Sequence, residues 1–444
     1  MRRVCVIGAG SSGIAACQVL AARGIPYDCF ELGSQVGGNW RYLNDNGLSS
    51  AYRSLHINTS RQVMEYASYP MPQDTPDYPG HAHIARYFDA FVDHFGLRES
   101  ISFRTEVVDA APDAAGRWTV RRRHRDTGQE GVGTYDAVLV ANGHHWKARW
   151  PHPSLPGTDD FTGVQTHAHD YRTPEPFTDQ RVLVLGIGNS ACDIAVETSR
   201  VSRRTVLAMR RGAHIVPKYL FGTPTDRLTH SWLARAPEAV QGLGLQLLLR
   251  LSRGRLTDYG LPAPRHRVLA AHPTISDDLL TRLGHGDIVV RPAPRRLESH
   301  RVVFEDGSVE DIDAIVYATG YDISFPFLGN ELIDPGDNDL TLYHRVVAPH
   351  QDGLYFIGLI QPLGAIMPLA EAQAHWVADL LLDRCALPTL EEMLSEIAAY
   401  RARLGRRYVA SPRHTIQVDA RAYVRELARE RKQGAARARR RGIR

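Results

Sequence analysis

The sequence predicts an α/β protein with two parallel, doubly wound sheets, one unit inserted into the other. Three observations carry that prediction. A glycine-rich loop between an apolar strand and a helical pattern occurs twice, at Gly8 and again 178 residues later at Gly186. Each copy is followed by a second strand, as a βαβ unit requires. Each also has a later partner strand that runs into glycine. Ala137–Val140 leads to Ala141-Asn142-Gly143, and Ala314–Tyr317 leads to Ala318-Thr319-Gly320.

The first copy opens with Val4-Cys5-Val6-Ile7, a continuous apolar run of strand length. Gly8-Ala9-Gly10-Ser11-Ser12-Gly13 follows, then a helical pattern through Ile14, Cys17 and Leu20. Gly8 permits a tight turn, Gly10 lets the backbone approach a pyrophosphate, and Gly13 lets helix and strand pack closely. The helix N-terminus offers free N–H groups and the positive end of its dipole to phosphate. The second strand, Tyr27–Phe30, ends in Glu31, 23 residues after Gly8. A carboxylate there accepts hydrogen bonds from a ribose and suits an unphosphorylated 2′-hydroxyl. FAD and NAD both fit; NADP would set a second anion beside Glu31.

The second copy reads Val182–Leu185, then Gly186-Ile187-Gly188-Asn189-Ser190-Ala191, then a helix that carries Asp193, Ile194 and Thr198. Alanine stands in the third glycine position, which the fingerprint allows. The following strand, Thr205–Met209, ends in Arg210 and Arg211 rather than an acid. Guanidinium groups suit a 2′-phosphate, so this site reads as NADPH-specific. The competing reading leaves both arginines as solvated surface charge. Pro-rich stretches at Trp150–Pro156 and Thr173–Pro176 mark one expected linker, and a second is expected near Pro326. The fold expected is two Rossmann-like dinucleotide-binding domains, with an NADP domain at 172–310 inserted into a discontinuous FAD domain at 1–171 and 311–444. Ser231–Leu251 is a Leu/Ala-rich stretch expected to be helical within the insert.

Composition removes other classes. Hydrophobic residues are 43% and charged residues 23% of 444, which suits a globular protein with a real core. The net charge of +4 is uneven: residues 421–444 hold ten Lys/Arg against two Glu, so the remainder is slightly acidic. That split argues against a nucleic-acid-binding domain. The tail from about 428 is expected to be solvated and mobile, as charge runs usually are. Five cysteines, widely spaced and without a CxxC pair, argue against a disulfide framework or a metal site. No stretch approaches the ~18–20 apolar residues of a membrane span. A cytoplasmic protein is expected.

Several further segments resemble the class B flavin-containing monooxygenases. Phe161-x-Gly163-x3-His167-x3-Tyr171 resembles that family's identifying motif. Gly37-Gly38-Asn39-Trp40 resembles its segment beside the flavin, and Ser54-Leu55-x2-Asn58-Thr59-Ser60 its SLxxN segment. Asp313-x4-Ala318-Thr319-Gly320-Tyr321 resembles its ATGY segment. Gly358–Gly364 with Pro368, Glu371, Gln373 and Trp376 resembles its C-terminal flavin-domain signature.

The resemblance implies an enzyme in which NADPH reduces FAD and O₂ adds to give a C4a-(hydro)peroxyflavin. One oxygen atom then passes to an amine nitrogen or sulfide sulfur of a small molecule, with no metal. It implies FAD contacts at Gly38, Asn39, Trp40, Asn58, Thr59, Val107 and Gln361 beyond the first loop and Glu31. It makes Asn58 the candidate catalytic residue, its amide able to donate and accept; the competing reading is an asparagine that closes a local turn. Phe161, Gly163, His167 and Tyr171 are expected to couple domain geometry, with His167 structural rather than a general base. A homodimer is the expected assembly.

Baeyer–Villiger oxidation of a ketone is the alternative chemistry, although Tyr171-Arg172 departs from that class's usual motif ending. A flavin reductase or oxidase is the remoter alternative. A disulfide reductase would need a closely spaced redox pair, and Cys5, Cys17 and Cys29 are twelve residues apart.

Overall fold

Strands that are apolar at every position need cover on both faces of their sheet. Val4–Ile7 and Ala137–Val140 are such strands, and all their residues are buried. In the computed structural model, which describes residues 2–230, 238–268, 273–407 and 415–442, they lie side by side in a five-stranded sheet. Its order is Leu354–Phe356, Ala137–Val140, Val4–Ile7, Tyr27–Phe30, Ile101–Ser102. Every pairing is parallel, with Val4 opposite both Tyr27 and Ala137. Helix Ser11–Ala22 is the crossover between the first two strands of the chain.

A second five-stranded parallel sheet repeats the plan. Its order is Ile288–Arg291, Arg204–Ala208, Arg181–Leu185, Ala314–Tyr317, Val164–His167. Helix Asn189–Thr198 is its first crossover. Each sheet is accompanied by a three-stranded antiparallel meander. Thr105–Pro112, Trp118–His124 and Glu130–Tyr135 lead into Ala137–Val140. Pro294–Glu298, Arg301–Phe304 and Val309–Asp311 lead into Ala314–Tyr317. The two strand-to-glycine segments therefore hold equivalent places, each beside the strand that leads into its own unit's glycine loop.

The chain divides into two compact units, Met1–Ser49, Arg61–Lys147 and Asp322–Arg444 against Ser50–Ser60 and Ala148–Tyr321. One unit is inserted into the other as expected, but the boundaries differ from 1–171, 311–444 and 172–310. Residues 148–171 and 311–321 belong with the second unit because Val164–His167 pairs with Ala314–Tyr317, which in turn pairs with Arg181–Leu185. The stretch Trp150–Pro156 lies just past the division between Lys147 and Ala148, on the side of the second unit. Its Pro156 carbonyl accepts from the Leu297 N–H at 2.8 Å. Residues 50–60 also join the second unit: the Arg53 N–H donates to the Arg172 carbonyl at 2.9 Å, and Tyr52 donates to Asp193.

The basic C-terminal run is not a mobile tail. It forms helix Ala420–Arg440, capped by Asp419, which accepts from the Ala422 N–H at 2.8 Å. Tyr423, Leu427, Glu430, Gly434 and Ala438 are buried along one stripe. Their spacing of three and four residues is that of a helix face. Arg431 grips Asp379 through Nε and Nη2 at 2.8 and 2.6 Å. At Gly434 an added Cβ would come within 3.2 Å of the Cys385 Cβ. Small side chains at 434 and 438 let the helix approach closely, and Arg421, Arg425, Arg429, Arg439 and Arg440 are exposed on the rest of its surface. The Leu-rich stretch of the insert is helical over Glu238–Arg253, with Leu245 and Leu249 packed on Val216, Leu220 and Val268. The expected helical residues 231–237 lie outside the described residues. Among the described residues, no helix is long and apolar enough to cross a membrane.

Candidate functional site

The first glycine loop has no room for a side chain at its first and third glycines. Gly8 has φ +99°, and a Cβ there would lie 2.8 Å from the Ala141 carbonyl oxygen. A Cβ on Gly13 would lie 1.8 Å from the Gly8 carbonyl oxygen, which is a backbone atom and cannot swing away. Gly10 is the N-cap of helix Ser11–Ala22 and no side chain caps it. The first-turn N–H groups are therefore not claimed by a capping side chain, as an anion site at a helix N-terminus requires. The Gly37 N–H donates to the Ala9 carbonyl at 2.9 Å, which brings the turn Gly38–Trp40 against the loop. A Cβ on Gly38 would sit 3.1 Å from the Gly10 Cα. The Asn39 carbonyl accepts from Ser49 Oγ at 2.9 Å, and Trp40 is half-buried.

Glu31 is buried and closes this loop. Its Oε2 accepts from the Ala9 N–H at 2.7 Å and its Oε1 from the Gly33 N–H at 2.8 Å. Burial pushes its carboxyl up, and these two N–H groups with Asn46 pull it back. A carboxylate has about four acceptor directions, so capacity for a ribose hydroxyl remains. A glycine cradle, an uncapped helix end and a fixed carboxylate together fit a dinucleotide.

Two other expected FAD residues have mainly internal partners. The Val107 side chain is packed in the core with Ile7 and Phe30. Gln361 hydrogen-bonds His144, whose imidazole burial holds well below its ordinary pKa.

The second loop repeats the geometry. Gly186 has φ +139°, and a Cβ there would lie 2.6 Å from the Ala318 carbonyl oxygen. Gly188 is the N-cap of helix Asn189–Thr198, again without a capping side chain. Ser190 is half-buried and Ala191 wholly buried. Two of the expected NADP residues are engaged with the protein instead. Asn189 Oδ1 accepts from the Ile275 N–H at 2.8 Å. Asp193 accepts from the Tyr52 hydroxyl, and burial raises its carboxyl to about 6. Arg210 and Arg211 follow strand Arg204–Ala208 after the single residue Met209. Both are exposed, and neither makes a hydrogen bond or ion pair among the described residues.

The Phe161–Tyr171 motif lies wholly within the second unit. Phe161 packs with Leu183, Phe304 and Tyr317. Gly163 is required because a Cβ would lie 2.3 Å from the Asp313 carbonyl oxygen. His167 ends the edge strand opposite Tyr317. It is fully buried, its Nδ1 accepts the His169 N–H at 3.0 Å, and burial lowers its pKa to about 4. A neutral, enclosed imidazole of that kind is a poor general base near pH 7. Tyr171 donates to Glu197 Oε2 at 2.5 Å and stacks on Phe177.

Asn58 and Thr59 sit in the segment 50–60 and so belong to the second unit, not the first. Ser60 anchors that segment, its N–H and Oγ donating to Asp226 Oδ2 at 2.7 and 2.8 Å. Asn58 itself is half-buried, and its amide makes no hydrogen bond within the described residues. An asparagine that closed a local turn would show one.

Sequence reasoning placed Glu371 in a signature without its hydrogen-bond partners, and it did not find Tyr66. Glu371 accepts from the Ala67 and Ser68 N–H groups at 2.8 and 3.1 Å, and the Tyr66 hydroxyl donates to the Ser11 carbonyl at 2.6 Å. It also did not find the cluster of His344, Glu396 and Glu426, whose ligand atoms lie within 4.8 Å of one another. Arg345 Nη2 is 3.1 Å from Glu426 and Arg403 Nη2 is 3.5 Å from Glu396, so two cations already balance the two carboxylates. The five cysteines are all free and buried. Burial pushes the Cys5 and Cys192 thiols up, as it also does for Cys29 after its hydrogen bond with Cys17. Redox-active thiols need the opposite environment.

A family model described as flavin-binding monooxygenase-like matches residues 1–434. Flavin-containing monooxygenase 5 of Oryctolagus cuniculus is 38% identical, over 96% of this chain and 82% of its own. The N-oxide-forming dimethylaniline monooxygenase 2 of Mus musculus is 34% identical, over 97% and 82%. S-allyl-L-cysteine S-oxygenase from Allium sativum has a similar structure, with TM-score 0.74 and 28% identity over 97% of this chain and 88% of that one. Cyclohexanone monooxygenase shares the fold, with TM-score 0.70 at 18% identity over 98% and 99%. The chain belongs to the flavin-binding monooxygenase-like family and is a flavin monooxygenase.

Proposed function

We propose that this enzyme uses NADPH and FAD to insert one oxygen atom of O₂ into a soft nucleophile, an amine nitrogen or a sulfide sulfur, of a small molecule. The observation that carries the reading is the pair of phosphate cradles with opposite charge at the second strand. Glu31 accompanies the first loop and Arg210 with Arg211 the second. The first pairing suits the unphosphorylated ribose of FAD and the second the 2′-phosphate of NADPH. FAD, when bound, supplies the hydride acceptor and the oxygen-activating chemistry.

The chain's own residues then bind and orient. The N-termini of helices Ser11–Ala22 and Asn189–Thr198 hold pyrophosphates. Arg210 and Arg211 select the reductant. Asn58 carries an amide that makes no hydrogen bond among the described residues, and its donor and acceptor can fix a nicotinamide amide or the reacting oxygen. His167 stays neutral and moves no proton. The choice of heteroatom substrates rests on the names of two relatives, an N-oxide-forming enzyme at 34% identity and an S-oxygenase at 28%.

The test is turnover of the purified holoenzyme with NADPH and ¹⁸O₂ against a tertiary amine, a dialkyl sulfide and a cyclic ketone. One ¹⁸O in an N-oxide or sulfoxide, at a rate above lactone formation, is the expected result. Lactone as the main product would replace it with Baeyer–Villiger chemistry. Hydrogen peroxide without any oxygenated product would replace it with an oxidase. Asn58→Ala is expected to retain FAD while most NADPH consumption becomes uncoupled from product. Coupling equal to wild type would remove Asn58 from the mechanism.

A further inference from the structure

The Gly358 peptide presses on the first turn of the helix that follows the first glycine loop. Gly358 has φ +78°, and a Cβ there would lie 1.9 Å from Ser12 Oγ. Such a contact locates the helix end only if the Gly358 peptide is itself fixed. It is fixed by a buried hydrogen-bond relay. The Gly358 N–H donates to Gln373 Oε1 at 2.7 Å. Gln373 Nε2 donates to the Tyr423 hydroxyl at 2.8 Å. That hydroxyl donates to the His344 carbonyl at 2.6 Å.

The direction of the relay is set by its two ends, because a backbone N–H only donates and a carbonyl only accepts. The Gln373 amide has one orientation that serves both neighbours. Gln373 is wholly buried and Tyr423 nearly so, so no water replaces a missing member at low cost. Tyr423 stands on the C-terminal helix, far along the chain from the glycine loop that it serves.

We propose that Tyr423 is a positioning residue for the flavin nucleotide: through Gln373 it fixes the Gly358 peptide against Ser12 and so aims the anion-binding end of helix Ser11–Ala22. The proposal rests on the assignment of FAD to the first unit. It makes the basic C-terminal helix part of the cofactor site.

The experiment is an FAD titration of apoprotein, followed by quenching of flavin fluorescence, on wild type, Tyr423→Phe and Leu427→Ala. Leu427 is buried one turn further along the same helix and takes no part in the relay. Tyr423→Phe is expected to raise the FAD dissociation constant roughly tenfold, the usual scale for a buried polar group left unpaired. Leu427→Ala loosens the helix and is expected to leave that constant within about twofold of wild type. Amide exchange of the peptide around Gly358 in the apoprotein is expected to accelerate in Tyr423→Phe and not in Leu427→Ala. If Tyr423→Phe does not fold, Gln373→Met breaks the relay at its other joint and carries the same expectation. Equal FAD affinity in wild type and the relay variants, or equal loss in Leu427→Ala, overturns the positioning role while the FAD assignment stands. Failure of wild type to bind FAD overturns both.

Discussion

The two units share a backbone plan and differ where side chains meet a nucleotide. In both, a glycine with positive φ packs under the carbonyl of the residue just after the neighbouring strand: Gly8 under Ala141, Gly186 under Ala318. In both, a glycine N-cap leaves the helix end uncapped by any side chain. Phosphate binding is thus a property of backbone, and it repeats. Nucleotide choice lies in a few side chains, and it does not. Glu31 is buried and held by two N–H groups, while Arg210 and Arg211 are exposed without partners among the described residues. A carboxylate that must accept from a ribose gains from being fixed. A guanidinium pair that must grip a phosphate gains from being free to close on it.

The sharpest contrast between the loops is at the third glycine position. Gly13→Ala is expected to be the most damaging change considered, because its methyl would meet the Gly8 carbonyl at 1.8 Å. Relief requires moving the helix off the loop, at a cost of about 4 kcal/mol or more, and flavin should be absent from the purified protein. The matching residue of the second loop already carries a methyl. Ala191→Gly should cost only about 1 kcal/mol and leave NADPH binding nearly intact. Thermal melts and the flavin visible spectrum measure both. A Gly13→Ala protein that retains FAD would mean the first loop is more compliant than its geometry implies.

The arginine pair comes next. Replacing Arg210 and Arg211 together by Ala is expected to raise KM for NADPH by about ten- to a hundredfold, on the scale of lost charged hydrogen bonds. KM for NADH should move little. Steady-state kinetics with both reductants decides this, and parallel losses would return the arginines to ordinary surface charge.

What was legible in the sequence follows the same division. Both loops, their helices and the distal Glu31 or Arg210 are local strand-turn-helix patterns, and the structure has them in place. The boundaries were not legible, because Val164–His167 joins the second sheet through Ala314–Tyr317, a pairing about 150 residues apart (Gln165 with Ile315). The segment that carries Asn58 follows the first loop in sequence but is tied to the second unit by Tyr52, Arg53 and Ser60. The C-terminal helix was hidden by its composition. Two of its buried positions, Gly434 and Ala438, are small rather than apolar, and arginines dominate the count. The relay through Gln373 and Tyr423 is buried and polar, and hydrophobic periodicity does not mark such groups.

A last, smaller contrast lies inside the two helices. Asp193 in the second helix corresponds to Ala15 in the first, at the same offset from the loop glycine. Burial raises the Asp193 carboxyl from 3.8 to about 6. The folded state therefore binds a proton there that the unfolded chain has already lost between those values. Stability from this group is full below pH 4 and falls as pH rises through 6, at up to about 1.4 kcal/mol per unit. Asparagine imitates the protonated acid, so Asp193→Asn should gain on wild type between pH 4 and 7 and match it near pH 4. Amide exchange in helix Asn189–Thr198 should carry that difference, while helix Ser11–Ala22, with Ala15 in the equivalent place, should show none. A gain independent of pH would mean that Tyr52 holds Asp193 ionised throughout, and that the second helix is built around a buried charge rather than a titrating one.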